Sequence, residues 1–222
     1  MVLEEATVDN ILFLISLAFF IYGLKKFILS DSGALYPKFV TLGFGAFMAG
    51  RLQSIVFAKV EVSFFTNFNL GFLGTIGCFM FLFTANCGIF DKIIDEGRRE
   101  ERKYRLIALM APLINIAICL PVWLSHCPKV DKAICSIVLL FVSLSSYLNF
   151  KHAIFPDVEG GIAYSIRGYN FTAVMFSFFT MAEYTARMLN MNIPSLLSHI
   201  GICICIVLAF PLLQKGVKKW TT

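Results

Sequence analysis

Residues 91–124 read DKIIDEGRREERKYRLIALMAPLINIAICLPVWL. Up to Arg105 the stretch is crowded with charge of both signs; from Leu106 to Leu124 it carries none. A helix needs about 20 apolar residues to cross the roughly 30 Å hydrocarbon core of a bilayer. The junction at Arg105 therefore reads as the place where the chain passes from water into lipid.

The same reading extends in both directions. Apolar runs of similar length cover residues 10–29, 39–58 and 68–90 before this one, and 133–150, 169–190 and 194–213 after it. The chain is 58% hydrophobic and 15% charged, whereas a soluble domain is about 25% charged. Most runs are apolar all the way round, with no face kept for water. A membrane β-barrel would alternate apolar and polar residues over strands of about 10 residues. Residues 204–213, ICIVLAFPLL, do not alternate. The expected fold is all-α: a polytopic membrane protein with one transmembrane domain over 1–222, a bundle of seven transmembrane helices at 10–29, 39–58, 68–90, 106–124, 133–150, 169–190 and 194–213.

Lys and Arg decide the orientation. With the N-terminus outside, the inner segments hold Lys25, Lys26, Lys38, Lys92, Arg98, Arg99, Arg102, Lys103, Arg105, Lys151, Arg167, Lys215, Lys218 and Lys219. The outer segments hold only Lys59, Lys129 and Lys132. Short loops keep their positive charge on the cytoplasmic side, so this imbalance predicts N-out and C-in. No basic segment precedes the first span and no small-residue cleavage site follows it, so it is expected to be retained. The net charge of +5 fits anchoring to an anionic inner leaflet. No basic domain stands outside the spans, so the expected partner is the lipid bilayer and not nucleic acid.

Short sequence echoes suggest an internal repeat. Ile15-Ser16-Leu17 matches Val142-Ser143-Leu144, Ala49-Gly50-Arg51 matches Thr185-Ala186-Arg187, and Ile76-Gly77 matches Ile200-Gly201. The reading is a 3+1+3 parallel repeat, an arrangement known in transporters. The offsets are unequal: 127, 136 and 124 residues (16 to 143, 51 to 187, 76 to 200).

Polar groups inside hydrocarbon are costly and need a partner, water or a ligand. Arg51 lies about 20 Å along its helix from Lys38, and Glu183 about 24 Å from Arg167, at roughly 1.5 Å per residue. Both spans run in the same direction, so the two side chains share a depth in the outer half. Arg187 is four residues from Glu183, on the same helix face. His199 and Tyr184 sit at a similar depth. The candidate ligand-binding residues are Arg51, Glu183, Arg187, His199, Tyr184 and Asn115. A guanidinium suits a carboxylate because its planar fork binds both oxygens, so the expected ligand is a small, anionic solute. The competing reading is structural: Glu183 bridges the two arginines and locks the second span to the sixth. Asn115 lies between Pro112 and Pro121, where missing amides kink the helix. Asn86, Asn149 and Tyr147 form a further polar set suited to interhelical bonding. Gly43, Gly45, Gly50, Gly71, Gly74 and Gly77 predict close packing of the second and third spans, which are expected to be central.

The seven cysteines show no C-x-x-C, and the first expectation is apolar packing. A bridge between Cys127 and Cys135 is the alternative at the outer face. No H-E-x-x-H or G-x-S-x-G occurs, so a metal hydrolase and a serine hydrolase are disfavoured; no P-loop occurs either, and no cofactor or metal is expected. The last span has no lysine before Lys215, so the helix count does not make the chain a retinal protein. Residues 151–168, with Pro156 and Gly160-Gly161, read as a surface loop. The functional expectation is a small-solute transporter with an outer-half polar site, in a prokaryotic cytoplasmic (inner) membrane. The alternative is a seven-helix receptor or sensor signalling through a cytoplasmic partner docked at residues 91–105.

Overall fold

Every described element of regular structure is a helix. The computed structural model describes residues 2–30, 34–59, 71–87, 91, 95, 101–157 and 161–221. Within them run α1 (Val2–Gly23), α2 (Leu35–Lys59), α3 (Gly71–Cys87), α4 (Arg102–Ala108), α5 (Met110–Leu124), α6 (Lys129–Ile154), α7 (Ile162–Met188) and α8 (Asn192–Thr221). A single π-helical turn over Leu24–Ile28 continues α1. Five stretches are long and apolar enough to cross a membrane: Val8–Ile28, Leu35–Val56, Arg102–Leu124, Lys129–Ile154 and Asn192–Lys219.

Around an apolar core, burial departs from that of a water-soluble bundle. Leu14, Leu113, Leu124, Leu197 and Ile204 are exposed, while Asn86, Asn115, Asn170, His152 and Glu183 are buried. Apolar side chains turned outward and polar ones turned inward fit a hydrocarbon solvent. The chain is therefore a multi-pass integral membrane protein.

α7 joins α2 and α3, which the glycines predict to be central, in the interior of the bundle. It packs against α5, α6 and α8. Phe176 on α7 meets Phe44 and Phe47 of α2 and Phe79 of α3, with ring centroids 5.3–5.5 Å apart. Arg187 reaches Asp9 of α1. Protein covers most of α7, leaving Tyr164, Phe171 and Met175 exposed, and its polar residues have partners on the covered side. This explains how a helix of 27 residues carries Arg167, Asn170, Glu183 and Arg187 and falls outside the five most apolar stretches.

The glycines do what their size permits. A Cβ on Gly74 would stand 2.5 Å from the Ala46 carbonyl oxygen and from Gly50 Cα; one on Gly50 would stand 2.5 Å from the Gly71 carbonyl oxygen. The backbones of α2 and α3 touch at this crossing.

Proline shapes the Arg102–Leu124 stretch as expected, with the discontinuity just upstream. The nitrogen of Pro112 cannot donate to the carbonyl of Ala108. The helix breaks at Leu109, between α4 and α5, and resumes when Leu113 N donates to the Leu109 carbonyl at 3.1 Å.

The sixth run does not begin at 169. Gly161 is extended (φ −64°, ψ 165°), and α7 starts at Ile162, with Ser165 N donating to the Gly161 carbonyl at 3.0 Å. Asp157 Oδ2 accepts from Tyr164 N at 3.2 Å and so serves the free amides of that first turn. Ala163 and Ile166 are buried there, so residues 162–168 are helix and not surface loop. The other end of α7 stops where Asn190 takes a left-handed conformation (φ 54°). Met191 N donates to the Ala186 carbonyl at 2.8 Å and Asn190 N to the Arg187 carbonyl at 3.1 Å. That double bond is the Schellman stop. It folds α8 straight back along α7.

Candidate functional site

The tight α7–α8 corner lays the last turn of α7 against the first turns of α8. Glu183 and Arg187 project from one face of α7, and His199 from the facing side of α8. The His199 ring is pinned to its own helix, with Nδ1 2.7 Å from the Ser195 carbonyl oxygen. Arg51 arrives from α2 and Asp9 from α1. Five ionisable groups from four helices thus meet in one buried cluster.

Arg51 and Glu183 form the centre. Arg51 Nη1 donates to Glu183 Oε1 at 2.6 Å, and Nη2 donates to Oε2. This is the parallel two-point pairing that guanidinium geometry favours. Their side chains are only 7% and 1% exposed. The Arg51 guanidinium also lies 4.8 Å from the centre of the Phe47 ring. Asp9 bridges the two arginines: its Oδ1 accepts from Arg187 Nη2 at 2.6 Å and from Arg51 Nη1 at 3.3 Å. Arg187 Nε is 3.1 Å from Glu183 Oε1 but is not angled as a hydrogen bond, and it has no hydrogen-bond partner.

His199 Nε2 faces three groups. It lies 2.8 Å from Arg187 Nη2, 3.1 Å from Glu183 Oε1 and 3.7 Å from Asp9 Oδ1. The Ser195 carbonyl can only accept, so Nδ1 carries a proton. In the neutral ring Nε2 is then an acceptor and bonds Arg187. With a second proton Nε2 becomes a donor, and its acceptor is a carboxylate. One proton therefore changes which neighbour His199 holds.

Two arginines and two carboxylates sum to zero when His199 is neutral. Glu183 is the carboxylate among the sequence candidates; Asp9, which is not among them, supplies the second. Its position one residue before the first apolar run was the available signal. Asp9, Glu183 and His199 present ligand atoms within 4.8 Å of one another, close enough to hold a metal ion. Yet both carboxylates already face guanidinium groups, which a cation would have to displace. The donor set fits an ion-pair cluster better than a metal centre.

A cleft of about 170 Å³ opens beside the cluster, between α2, α3, α6 and α7. Arg51, Glu183, Tyr184, Arg187, Thr75 and Asp131 are among its lining residues. Tyr184 takes its place by donating from its hydroxyl to Thr75 Oγ1 at 3.0 Å. Asp9 and His199 are not among the lining residues and approach the arginines from α1 and α8.

Of the six sequence candidates, Arg51, Glu183, Arg187 and His199 come together and Tyr184 lines the adjoining cleft. Asn115 stands apart. It is buried on α5, donating from Nδ2 to Ser146 Oγ of α6 at 3.0 Å, and its Oδ1 has no hydrogen-bond partner.

A second polar layer occupies the opposite end of the bundle. Asn86 Nδ2 donates to Asn149 Oδ1 at 3.2 Å, and the Tyr36 hydroxyl donates to Asn86 Oδ1 at 3.3 Å and Asn170 Oδ1 at 3.2 Å. His152 Nδ1 is 2.9 Å from Asn86 Oδ1, and Nε2 is 3.1 Å from Asp91 Oδ1. Lys151 donates to Asp91 at 2.8 Å and pairs with Asp95 at 2.6 Å; Arg105 donates to the same Asp95 carboxylate at 2.8 Å. Burial alone would raise the Asp91 carboxyl. Hydrogen bonds from His152 and Lys151, with the Lys151 charge, outweigh it and hold Asp91 below its usual range. Tyr147, grouped with the asparagines from sequence, does not join this layer. Of the charged stretch 91–105, residues 92–94 and 96–100 lie outside the described residues. Asp91, Asp95 and Arg105 are turned back onto α6 or onto one another.

Between the two layers stands an aromatic stack. Phe176 touches Phe44, Phe47 and Phe79, and Phe44 also touches Phe210, at 5.3 Å, which stacks on Phe19 at 5.6 Å. Phe176 lies about 10 Å along α7 from Glu183 and about 9 Å from Asn170, at roughly 1.5 Å per residue. No protein family, curated protein or solved structure matches this chain.

Proposed function

We propose that this protein carries a small anionic solute across a cytoplasmic-type membrane, with seven spans, its N-terminus outside and its C-terminus inside. The observation that carries the reading is the buried charge cluster forming one wall of a cleft, with both guanidiniums lining it. Arg187 contributes an Nε–H without a hydrogen-bond partner. A carboxylate seated in the cleft would supply that acceptor. Tyr184 and Arg51 would flank it.

Charge balance suggests how binding is coupled. The empty cluster is neutral with His199 unprotonated. A bound carboxylate adds one negative charge in a low-dielectric site, and a proton on His199 restores the balance. That proton turns Nε2 from an acceptor for Arg187 into a donor for Glu183, which releases Arg187 towards the solute. The phenylalanine stack around Phe176 closes the way to the Asn86–His152 layer and would serve as the barrier that alternates.

Helix neighbours support the 3+1+3 reading. In the first unit α1 packs on α2 and α2 on α3; in the second α6 packs on α7 and α7 on α8. The units meet through α3 with α6 and through α1 with α8, as an approximate two-fold exchange requires. Under it Arg51 and Arg187 are counterparts that converge on one site.

The test uses lactate, succinate and citrate as probes on purified protein. At millimolar concentration at least one should raise the melting temperature of the wild-type protein in detergent. The same probe should enter proteoliposomes faster under an inward acid gradient. Arg187→Gln should abolish both effects while remaining folded. If none of the three shifts melting or flux, the proposal fails. Binding without flux would replace it with the receptor reading.

A further inference from the structure

Two thiols face each other across the α5–α6 contact. Cys119 Sγ, one turn from the end of α5, lies 2.8 Å from Cys135 Sγ, in the second turn of α6. Both residues are completely buried. Non-bonded heavy atoms rest at about 3.5–4.0 Å, whereas a disulfide is about 2.05 Å long. The pair already stands well inside ordinary contact distance. The two residues sit on antiparallel helices joined by a short turn, residues 125–128, so their approach needs no rearrangement elsewhere.

The partner differs from the one the sequence suggested. Cys127, nearer to Cys135 along the chain, has its thiol occupied elsewhere. It accepts from Ser125 Oγ at 3.0 Å and donates to the Met188 carbonyl at 3.4 Å. That places it against the end of α7. A further link, Thr185 Oγ1 donating to the Ile118 carbonyl at 3.0 Å, holds α5 against α7 beside Cys119.

We propose that Cys119 and Cys135 are a disulfide-forming pair that staples α5 to α6 under oxidising conditions. The step joins the two sulfurs and releases two protons and two electrons. A dithiol–disulfide oxidant accepts the electrons: its own disulfide breaks and leaves as a dithiol. Because both sulfurs are buried in the finished fold, exchange with a protein oxidant takes place while the hairpin is closing. The staple adjoins the Thr185–Ile118 hydrogen bond to the last turns of α7, but it does not depend on what Glu183 and Arg187 bind.

Thiol counting on the full-length protein tests this. The folded protein in detergent is treated with copper–phenanthroline, which lets oxygen serve as the electron acceptor. It is then denatured and alkylated with N-ethylmaleimide. Intact mass should show five adducts, rising to all seven cysteines after dithiothreitol. Digestion should yield a peptide joining residues 119 and 135. Cys119→Ala and Cys135→Ala should each show six adducts, and Cys127→Ala should retain the bond. Reduction should lower the melting temperature of the oxidised wild-type protein and leave that of Cys119→Ala unchanged. Seven adducts after oxidation would overturn the proposal, as would a bond from Cys127 to Cys135.

Discussion

Arg51 and Glu183 show what a buried charge needs in order to stay charged. Nη1 and Nη2 of Arg51 each have a carboxylate oxygen of Glu183, and the ring of Phe47 covers the group. Breaking such a pair from one side leaves the other charge unsolvated, at a cost of about 3–5 kcal/mol. Glu183→Gln should therefore lower stability by about that much in a detergent unfolding titration. Arg187→Gln should cost clearly less, because the Arg187 side chain is 32% exposed and water screens part of its charge. Equal losses would mean that the bidentate pair is not the centre of the cluster. At the opposite end Asp91 makes a pH prediction. Its carboxyl is held below the ordinary value of 3.8 by His152 and Lys151 despite partial burial. A depressed folded pKa contributes stability above the unfolded value and loses it as the pH falls through the lower folded one. Between pH 5 and 3 the melting temperature of wild type should fall more steeply than that of Asp91→Asn. Parallel curves would show that the Lys151–Asp91 pair contributes nothing.

At the scale of the element, small residues and missing donors set the geometry. The α2–α3 crossing leaves no room at Gly74, where a Cβ would meet backbone atoms of Ala46 and Gly50 at 2.5 Å. Gly74→Val should force the helices apart and cost about 1–3 kcal/mol. Gly168, on α7, offers the contrast: a Cβ there meets only Leu212 side-chain atoms at 3.4 and 3.8 Å, ordinary contact. Gly168→Ala should be neutral or stabilising by up to about 1 kcal/mol, since it removes a flexible residue from a helix interior. Thermal melts of the two variants side by side separate close approach from simple glycine content. The α4–α5 break follows the same logic from the donor side. It falls at Leu109 because Pro112 cannot reach back to Ala108, whereas Pro121 sits within α5 without ending it.

For the whole molecule, the number of crossings decides where the two ends lie. Five stretches qualify as spans on length and hydropathy; α3 and α7 complete the proposed seven. An odd number puts reporters fused at the two termini in opposite compartments, with the C-terminal reporter cytosolic. Finding both in one compartment would remove α7 or α3 from the bilayer and collapse the proposed topology. Membrane class, helix content and rough span positions were legible in the sequence, because about 20 uncharged residues have one cheap environment and Lys and Arg mark where the runs end. The candidate site was legible in part. Arg51 and Glu183 could be matched in depth by counting helical rise, and Arg187 followed from its i,i+4 spacing. Asp9 offered only its position one residue before the first apolar run, and the choice of Cys119 over Cys127 could not be read. The start of α7 at Ile162 was also hidden: Ile162, Ala163, Tyr164 and Ile166 are apolar, but Gly160-Gly161 before them and Arg167-Gly168 after them read as loop. A linear chain thus reveals how each segment prefers its solvent, since hydropathy is a property of the segment alone. Which helix lies at the centre, which carboxylate neutralises which arginine and which sulfurs touch depend on distances between segments far apart in sequence, and only packing sets those.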